Sequence, residues 1–352
     1  MQNQKITIRM LSSATSVSGQ GVGSAYMEQV ELVKEQSDLF NVLEGKEKGG
    51  AEIYHVHTVN PTYRLRMTSR HVNVIYVHFL PQTLDGSLHM NKLNFTVFKH
   101  YVIHTYRKAD EIVVVNPIFI EPLVKLGMKR ENITYIPNYV SKENFHKLEP
   151  AEILALRKEY GIDPKAFVIM GCGQVQTRKG VKDYIQVAKD NPDITFVWAG
   201  GFSFGKMTDG YDELKAIMDN PPKNVKFIGI IERTKMNAIF NMCDVLFMPS
   251  FDELFPMSIL EAANSAKPIL LRDLELYKGI LWDNYDSAHD VKGFDEEVRK
   301  LASDPAYYAH YSEKSTNIAT FYSKEHVGEL WREYYPRILA KWKDKKHIKG
   351  LK

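Results

Sequence analysis

The stretch that most constrains this chain runs from Val245 to Leu271, VLFMPSFDELFPMSILEAANSAKPILL. Its apolar opening, which ends at Met248, has the pattern of a strand buried in a parallel sheet. Pro249, Ser250, Phe251 and Asp252 break that run into a loop. A helix is predicted from near Pro256, because proline's fixed φ and missing N–H suit a first helical turn. The helix ends before Lys267-Pro268, since the residue preceding a proline avoids helical backbone angles. Ile269, Leu270 and Leu271 resume a buried strand. Units of this kind build open α/β sheets, whose ligands lie outside the carboxyl ends of the strands. Two carboxylates hold fixed places in it: Glu253 in the loop, and Glu261 in the second turn of the helix. Unpaired N–H groups at the helix start suit a phosphate. A carboxylate one turn further in can accept two hydrogen bonds from a ribose diol. Glu253 is left to face whatever the phosphate carries.

At 352 residues the chain is long for one core, and two domains are expected. Apolar content of 44% and charged content of 25% are those of an ordinary globular protein. A formal charge of +3 leaves no whole-chain footprint for nucleic acid. Cys172 and Cys243 lie far apart, which gives neither a disulfide framework nor a metal site and fits a reducing cytoplasm. The apolar part of the start is short for a signal peptide. No run approaches the roughly 18 apolar residues of a membrane span.

In the first half, Lys5 to Leu11 reads as a strand. It opens into Ser18-Gly19-Gln20-Gly21-Val22-Gly23, and a helix follows through about Gln36. The glycines are compatible with a plain tight turn and with a backbone approaching a phosphate. Ile53 to Thr58 is a strand placing His55 and His57 on one face. Without a local third ligand, they read as satisfied, partly buried histidines at a strand end rather than a metal pair. Asn73 to His78 is another strand, with His78 at its carboxyl end. Lys92 to Lys108 reads as an amphipathic helix, with Phe95, Phe98, Val102 and Tyr106 on one side. Lys92, Lys99, His100, His104 and Arg107 lie on the other. That pattern fits first a core-facing helix with a solvated face; the sharper alternative is a basic, aromatic-flanked surface resting on anionic lipid. Glu111 to Val115 is a strand, and Thr134 to Asn138 closes the domain. Val140 to Pro150 reads as the linker.

In the second half a helix near Ala151 to Tyr160 precedes a strand at Phe167 to Met170. The loop after it, Gly171-Cys172-Gly173-Gln174-Val175-Gln176-Thr177-Arg178-Lys179-Gly180, ends in two cations. Such a pair at a helix start can neutralise a departing diphosphate. Further strands are read at Ile194 to Trp198 and Asn224 to Ile228, the latter followed by Gly229-Ile230-Ile231. A helix spans Glu232 to Asn241. From about Phe294 the chain is helical, with a last aromatic-rich helix from Lys324 to Lys343 and a basic, fraying end.

Taken in order, these stretches resemble the retaining family 4 glycosyltransferases of GT-B fold. The resemblance rests on E-x7-E, A-x4-K-P, the Ile-Pro-Asn at 136–138 and G-x5-K-G. The family form E-G-F-G is here Glu253-Leu254-Phe255-Pro256, and its G-R-x4-K-G carries Gln174 where the arginine stands. The resemblance implies an α/β chain of two Rossmann-like domains facing across a cleft. Residues 1–145 would face acceptor and membrane, 150–322 would bind the nucleotide sugar, and 323–352 would pack back on the first domain. It implies that Gly21 and Gly23 lie beside the donor diphosphate and His78 near the donor sugar. Ile230 would line the base pocket. Lys179, with Arg178 compensating for Gln174, would stabilise the leaving charge together with amides near Leu254, Phe255 and Pro256. Glu261 would hold the ribose, and Glu253 the sugar hydroxyls or the positive ring. The resemblance also implies that the departing phosphate takes the acceptor's proton, so that no dedicated protein base is needed; neither a metal nor a cofactor is expected, and no D-x-D metal motif is present.

The glycine-rich loops look most like those of bacterial enzymes that glycosylate diacylglycerol lipids. They imply a UDP-glucose or UDP-galactose donor and a monoglucosyldiacylglycerol acceptor, with products that anchor lipoteichoic acid. Lys92, Lys99 and Arg107 are the candidate contacts to an anionic membrane, on the inner face of which the protein would sit peripherally from the cytoplasm. Alternatives are transfer of the first glucose to diacylglycerol, a soluble sugar or protein acceptor, and a non-catalytic nucleotide-binding partner module. A nicotinamide dehydrogenase is disfavoured, because G-x-G-x-x-G and its following acid are missing.

Overall fold

A computed structural model describes residues 5–14, 21–81, 92–203 and 205–350. The chain forms two compact units, one from 1–139 with 324–352 and one from 140–323.

The first unit holds six strands: β1 (Ile6–Leu11), β2 (Phe40–Glu44), β3 (Ile53–Val56), β4 (Val72–Val77), β5 (Glu111–Val114) and β6 (Ile133–Tyr135). They form one sheet in the order β2-β1-β3-β4-β5-β6, with every pairing parallel. Helices α1 (Gly21–Glu35), α2 (Pro61–Arg66), α3 (Lys92–Lys108) and α4 (Ile120–Lys125) make the crossovers. β4 is buried at every residue, as expected of a central parallel strand. The chain order reverses between β1 and β3, so the loops after those strands flank the sheet's switch point.

The second unit repeats the plan with β7 (Val168–Cys172), β8 (Thr195–Ala199), β9 (Val225–Gly229), β10 (Val245–Met248), β11 (Ile269–Arg272) and β12 (Asp286–Ala288). Their order is β12-β11-β10-β7-β8-β9, again parallel throughout. Around them lie α5 (Pro150–Glu159), α6 (Val181–Asp190), α7 (Tyr211–Asp219), α8 (Arg233–Met242), α9 (Met257–Asn264), α10 (Glu275–Lys278), α11 (Val291–Ser303) and α12 (Pro305–Phe321). Trp198, Tyr184 and Phe247 fill the core beneath the sheet. The switch point here falls between β7 and β10. The loops carrying Lys179 and Glu253 therefore leave the sheet side by side.

Two readings of the sequence are corrected. Gly21 to Gly23 form the first turn of α1 rather than a loop before it, and Gly19 lies outside the described residues. The segment 140–150, read as the linker, begins at the boundary between the units. It straps α8, where the side-chain oxygens Asn237 Oδ1 and Asn241 Oδ1 accept from the His146 N–H at 3.0 Å and the Leu148 N–H at 2.8 Å. The last helix, α13 (Lys324–Gly350), runs through the basic end instead of fraying after Lys343. Its Trp331 stacks on Tyr335 at 5.2 Å. The Tyr335 hydroxyl is hydrogen-bonded to His55 Nδ1 at 2.8 Å, so α13 belongs to the first unit's core.

Candidate active site

The second unit's site is built from two loops bound to each other. After β7, Thr177–Lys179 make one tight turn and Gly180 reverses the chain at φ 68°. A Cβ on Gly180 would lie 2.1 Å from the Pro249 carbonyl oxygen, so only glycine lets the cation loop rest on the acid loop. The Phe251 N–H donates to the Arg178 carbonyl at 2.8 Å. Arg178 Nη1 donates to the Asp252 carbonyl at 2.7 Å.

These contacts bring the predicted charges together. Lys179 Nζ lies 2.5 Å from Glu253 Oε1, and Arg178 Nη1 lies 3.9 Å from its other oxygen. Burial pushes the Glu253 carboxyl up, but the two cations outweigh it and hold the group below the usual carboxylate range. Glu253 is therefore an anion at neutral pH, held by Lys179 and Arg178. Burial pushes the Cys172 thiol up to about 12, with Glu261 and Glu253 adding to the rise and Lys179 opposing it.

Helix α9 begins one residue later than the sequence reading. Pro256 is its N-cap, extended at φ −72° and ψ 120°. Proline's fixed φ serves an extended cap as well as a first turn. Phe255 is buried and meets Tyr322 edge-on at 5.4 Å. Leu254 is half-buried beside it. Glu261, buried in the second turn of α9, is paired at 2.5 Å with Arg233 Nη1 at the start of α8. Gln174 is half-buried in the cation loop, and Ile230 is 51% exposed just past β9.

In the first unit, Gly21 and Gly23 stand at the start of α1 and His78 directly follows β4. His57 lies between His55 and His78, with ring centroids 4.6 and 5.8 Å away. Burial drives His55 and His78 down to about 3 and lowers His57 as well. His78 is thus a neutral imidazole at physiological pH, a polar donor or acceptor rather than a cation. Lys92 opens α3, and its side chain lies outside the described residues. Lys99 lies over the Phe95 ring at 4.6 Å, with Leu93 and Val97 exposed nearby. Arg107 closes α4 by donating to the Leu126 carbonyl at 2.9 and 2.7 Å. Among the described residues no helix is long and apolar enough to cross a membrane. Among them also no group of three His, Cys, Asp or Glu is set to hold a metal.

Two residues of the second unit were not legible. Arg233 meets Glu261 across 28 positions, and no local pattern marks such a pair. Arg272, buried in β11, donates to the carbonyls of Pro249 at 3.0 Å and His289 at 2.6 Å. It pairs with Asp183 in the first turn of α6. Its guanidinium lies over the Phe251 ring at 4.0 Å. It therefore ties the acid loop to the helix that follows the cation loop.

The family model of glycosyl transferases group 1 matches residues 152–318. The chain is 42% identical over 345 residues to the alpha-galactosylglucosyldiacylglycerol synthase of Streptococcus pneumoniae (strain ATCC BAA-255 / R6), covering 97% of this chain and 92% of that protein. It is 22% identical to the processive diacylglycerol alpha-glucosyltransferase of Acholeplasma laidlawii, over 91% and 94% of the two. The solved structure of Anabaena Alr3699/HepE in complex with UDP and glucose matches with a TM-score of 0.74 at 15% identity, over 94% of this chain and 99% of that one. Two α/β units and these relatives together define a sugar-transferring enzyme. The chain belongs to the group 1 glycosyl transferases, as its motifs implied.

Proposed function

We propose that the protein moves a hexose, with retention of configuration, from a UDP-sugar to monoglucosyldiacylglycerol at the inner face of the cell membrane, in the assembly of glycolipid anchors. The observation that carries the reading is the Lys179–Glu253–Arg178 cluster at a sheet's switch point, with Glu261 one helix turn beyond. The likeness to an alpha-galactosylglucosyldiacylglycerol synthase over nearly the whole chain supports the acceptor and favours galactose as the sugar.

The chemistry follows from the charges. A diphosphate leaves while the sugar ring turns oxocarbenium-like. On this reading Lys179 and Arg178 neutralise that leaving charge, and amides at the start of α9 add partial positive charge. When the diphosphate takes up the cations, Glu253 is released to hold sugar hydroxyls or to stabilise the positive ring. Exposed Leu93 and Val97 beside Lys99 on α3 suit a peripheral lipid contact.

Labelled UDP-glucose and UDP-galactose, each offered with diacylglycerol or its monoglucoside, test this by thin-layer separation of the lipid products. A diglycosyl lipid formed from the monoglucoside is expected. Turnover onto soluble acceptors with no lipid product would overturn the acceptor assignment.

A further inference from the structure

The ion pair between Arg233 and Glu261 has no part in the chemistry above. Glu261 is buried, its side chain 7% exposed, whereas that of Arg233 is 25% exposed. Arg233 is itself held in place. Its guanidinium lies 5.0 Å from the centre of the Phe145 ring, and Phe145 is buried against Phe240 of α8 at 6.1 Å. The strap carrying Phe145 is bound to α8 on both sides of His146. The N–H of His146 donates to Asn237 Oδ1, and its carbonyl accepts from Asn241 Nδ2 at 2.8 Å. A long, flexible cation is thereby fixed between an aromatic floor and the Glu261 carboxylate.

We infer that Arg233 is the positioning residue for the nucleotide's ribose, acting through Glu261. This rests on the reading of Glu261 as the ribose contact. A buried carboxylate has to be compensated for lost hydration. It also has to be turned so that its acceptor directions meet a vicinal diol. A guanidinium at 2.5 Å from Oε1 does both. Rotation of the carboxylate about its last bond is stopped, and the charge that strengthens the diol's hydrogen bonds is kept.

The test compares UDP with 2′,3′-dideoxy-UDP, which lacks both hydroxyls, by calorimetry on the full chain. Arg233→Met is expected to weaken UDP about 10-fold to 100-fold, to leave the dideoxy nucleotide unchanged, and to raise donor KM with kcat kept. Arg233→Lys should recover part of the loss. Should the Met variant not fold, the Lys variant carries the same comparison. In a Glu261→Gln background Arg233→Met should add nothing. Equal weakening of both nucleotides, or additivity with Glu261→Gln, overturns the role of Arg233 while leaving Glu261 on the ribose. A Glu261→Gln protein that binds UDP as before overturns both.

Discussion

A buried anion held by two cations is an unstable arrangement once either side is removed, and this makes single-residue tests sharp. Glu253→Gln keeps the shape of the side chain and frees Lys179 and Arg178. Transfer should slow about 100-fold to 1000-fold, while UDP binds as well or better because its cations are no longer shared. A kcat within error of the parent would remove Glu253 from the reaction. A second prediction concerns Asp286 on β12. The Tyr307 hydroxyl lies 2.5 Å from Glu297 and 3.2 Å from Asp286, and one hydrogen cannot serve both. Burial first, and Glu297 second, push Asp286 up to about 7. The folded protein therefore holds a proton that the unfolded chain releases nearer pH 4. Stability contributed by that proton is present at low pH and lost as pH rises towards 7. Asp286→Asn should melt higher than the parent at pH 8 and lose that advantage at pH 5. Equal melting differences at the two pH values would sink the assignment.

Among the elements, the two loops at the second switch point act as one piece. Gly180→Ala forces a Cβ into the Pro249 carbonyl and should destabilise the protein by about 1–3 kcal/mol, read as a lower denaturant midpoint. Arg272→Met keeps most of the side chain's volume but frees the Pro249 and His289 carbonyls. Activity should fall more than stability, since the loops move apart while the core stays packed; a melting loss with full activity would contradict this. The central strands and the helices after each loop could be read from the sequence because their signals are local: apolar runs, Pro256, Lys267-Pro268 and Gly180. Glu253 and Lys179 were legible through motif order. What escaped lacked such signals. β2, FNVLE, and β12, DSA, are short edge strands with too few apolar residues to stand out. Arg272 and Asp183 meet across 89 positions, and pairing at that range is fixed only by the fold.

For the molecule as a whole, the membrane reading makes a measurable demand. Binding to anionic vesicles should exceed binding to neutral ones and fade at high salt, because charge attracts and the short apolar face of α3 only assists. Salt-insensitive or absent binding would count against a lipid-bound acceptor. A further demand comes from α13. Its Trp331, Tyr334 and Tyr335 are fully buried in the first unit, so a chain ending at Ser323 should lose that unit's cooperative melting while the second unit keeps its own. The order of synthesis follows from this. A ribosome making the chain releases β1 first, yet the sheet around β1 stays open on one face until residues 324–350 emerge. The second unit, continuous from 140 to 323, is complete before then. The half that is translated earliest is thus the last to mature, and a nascent chain arrested before α13 should resist protease only in its later part.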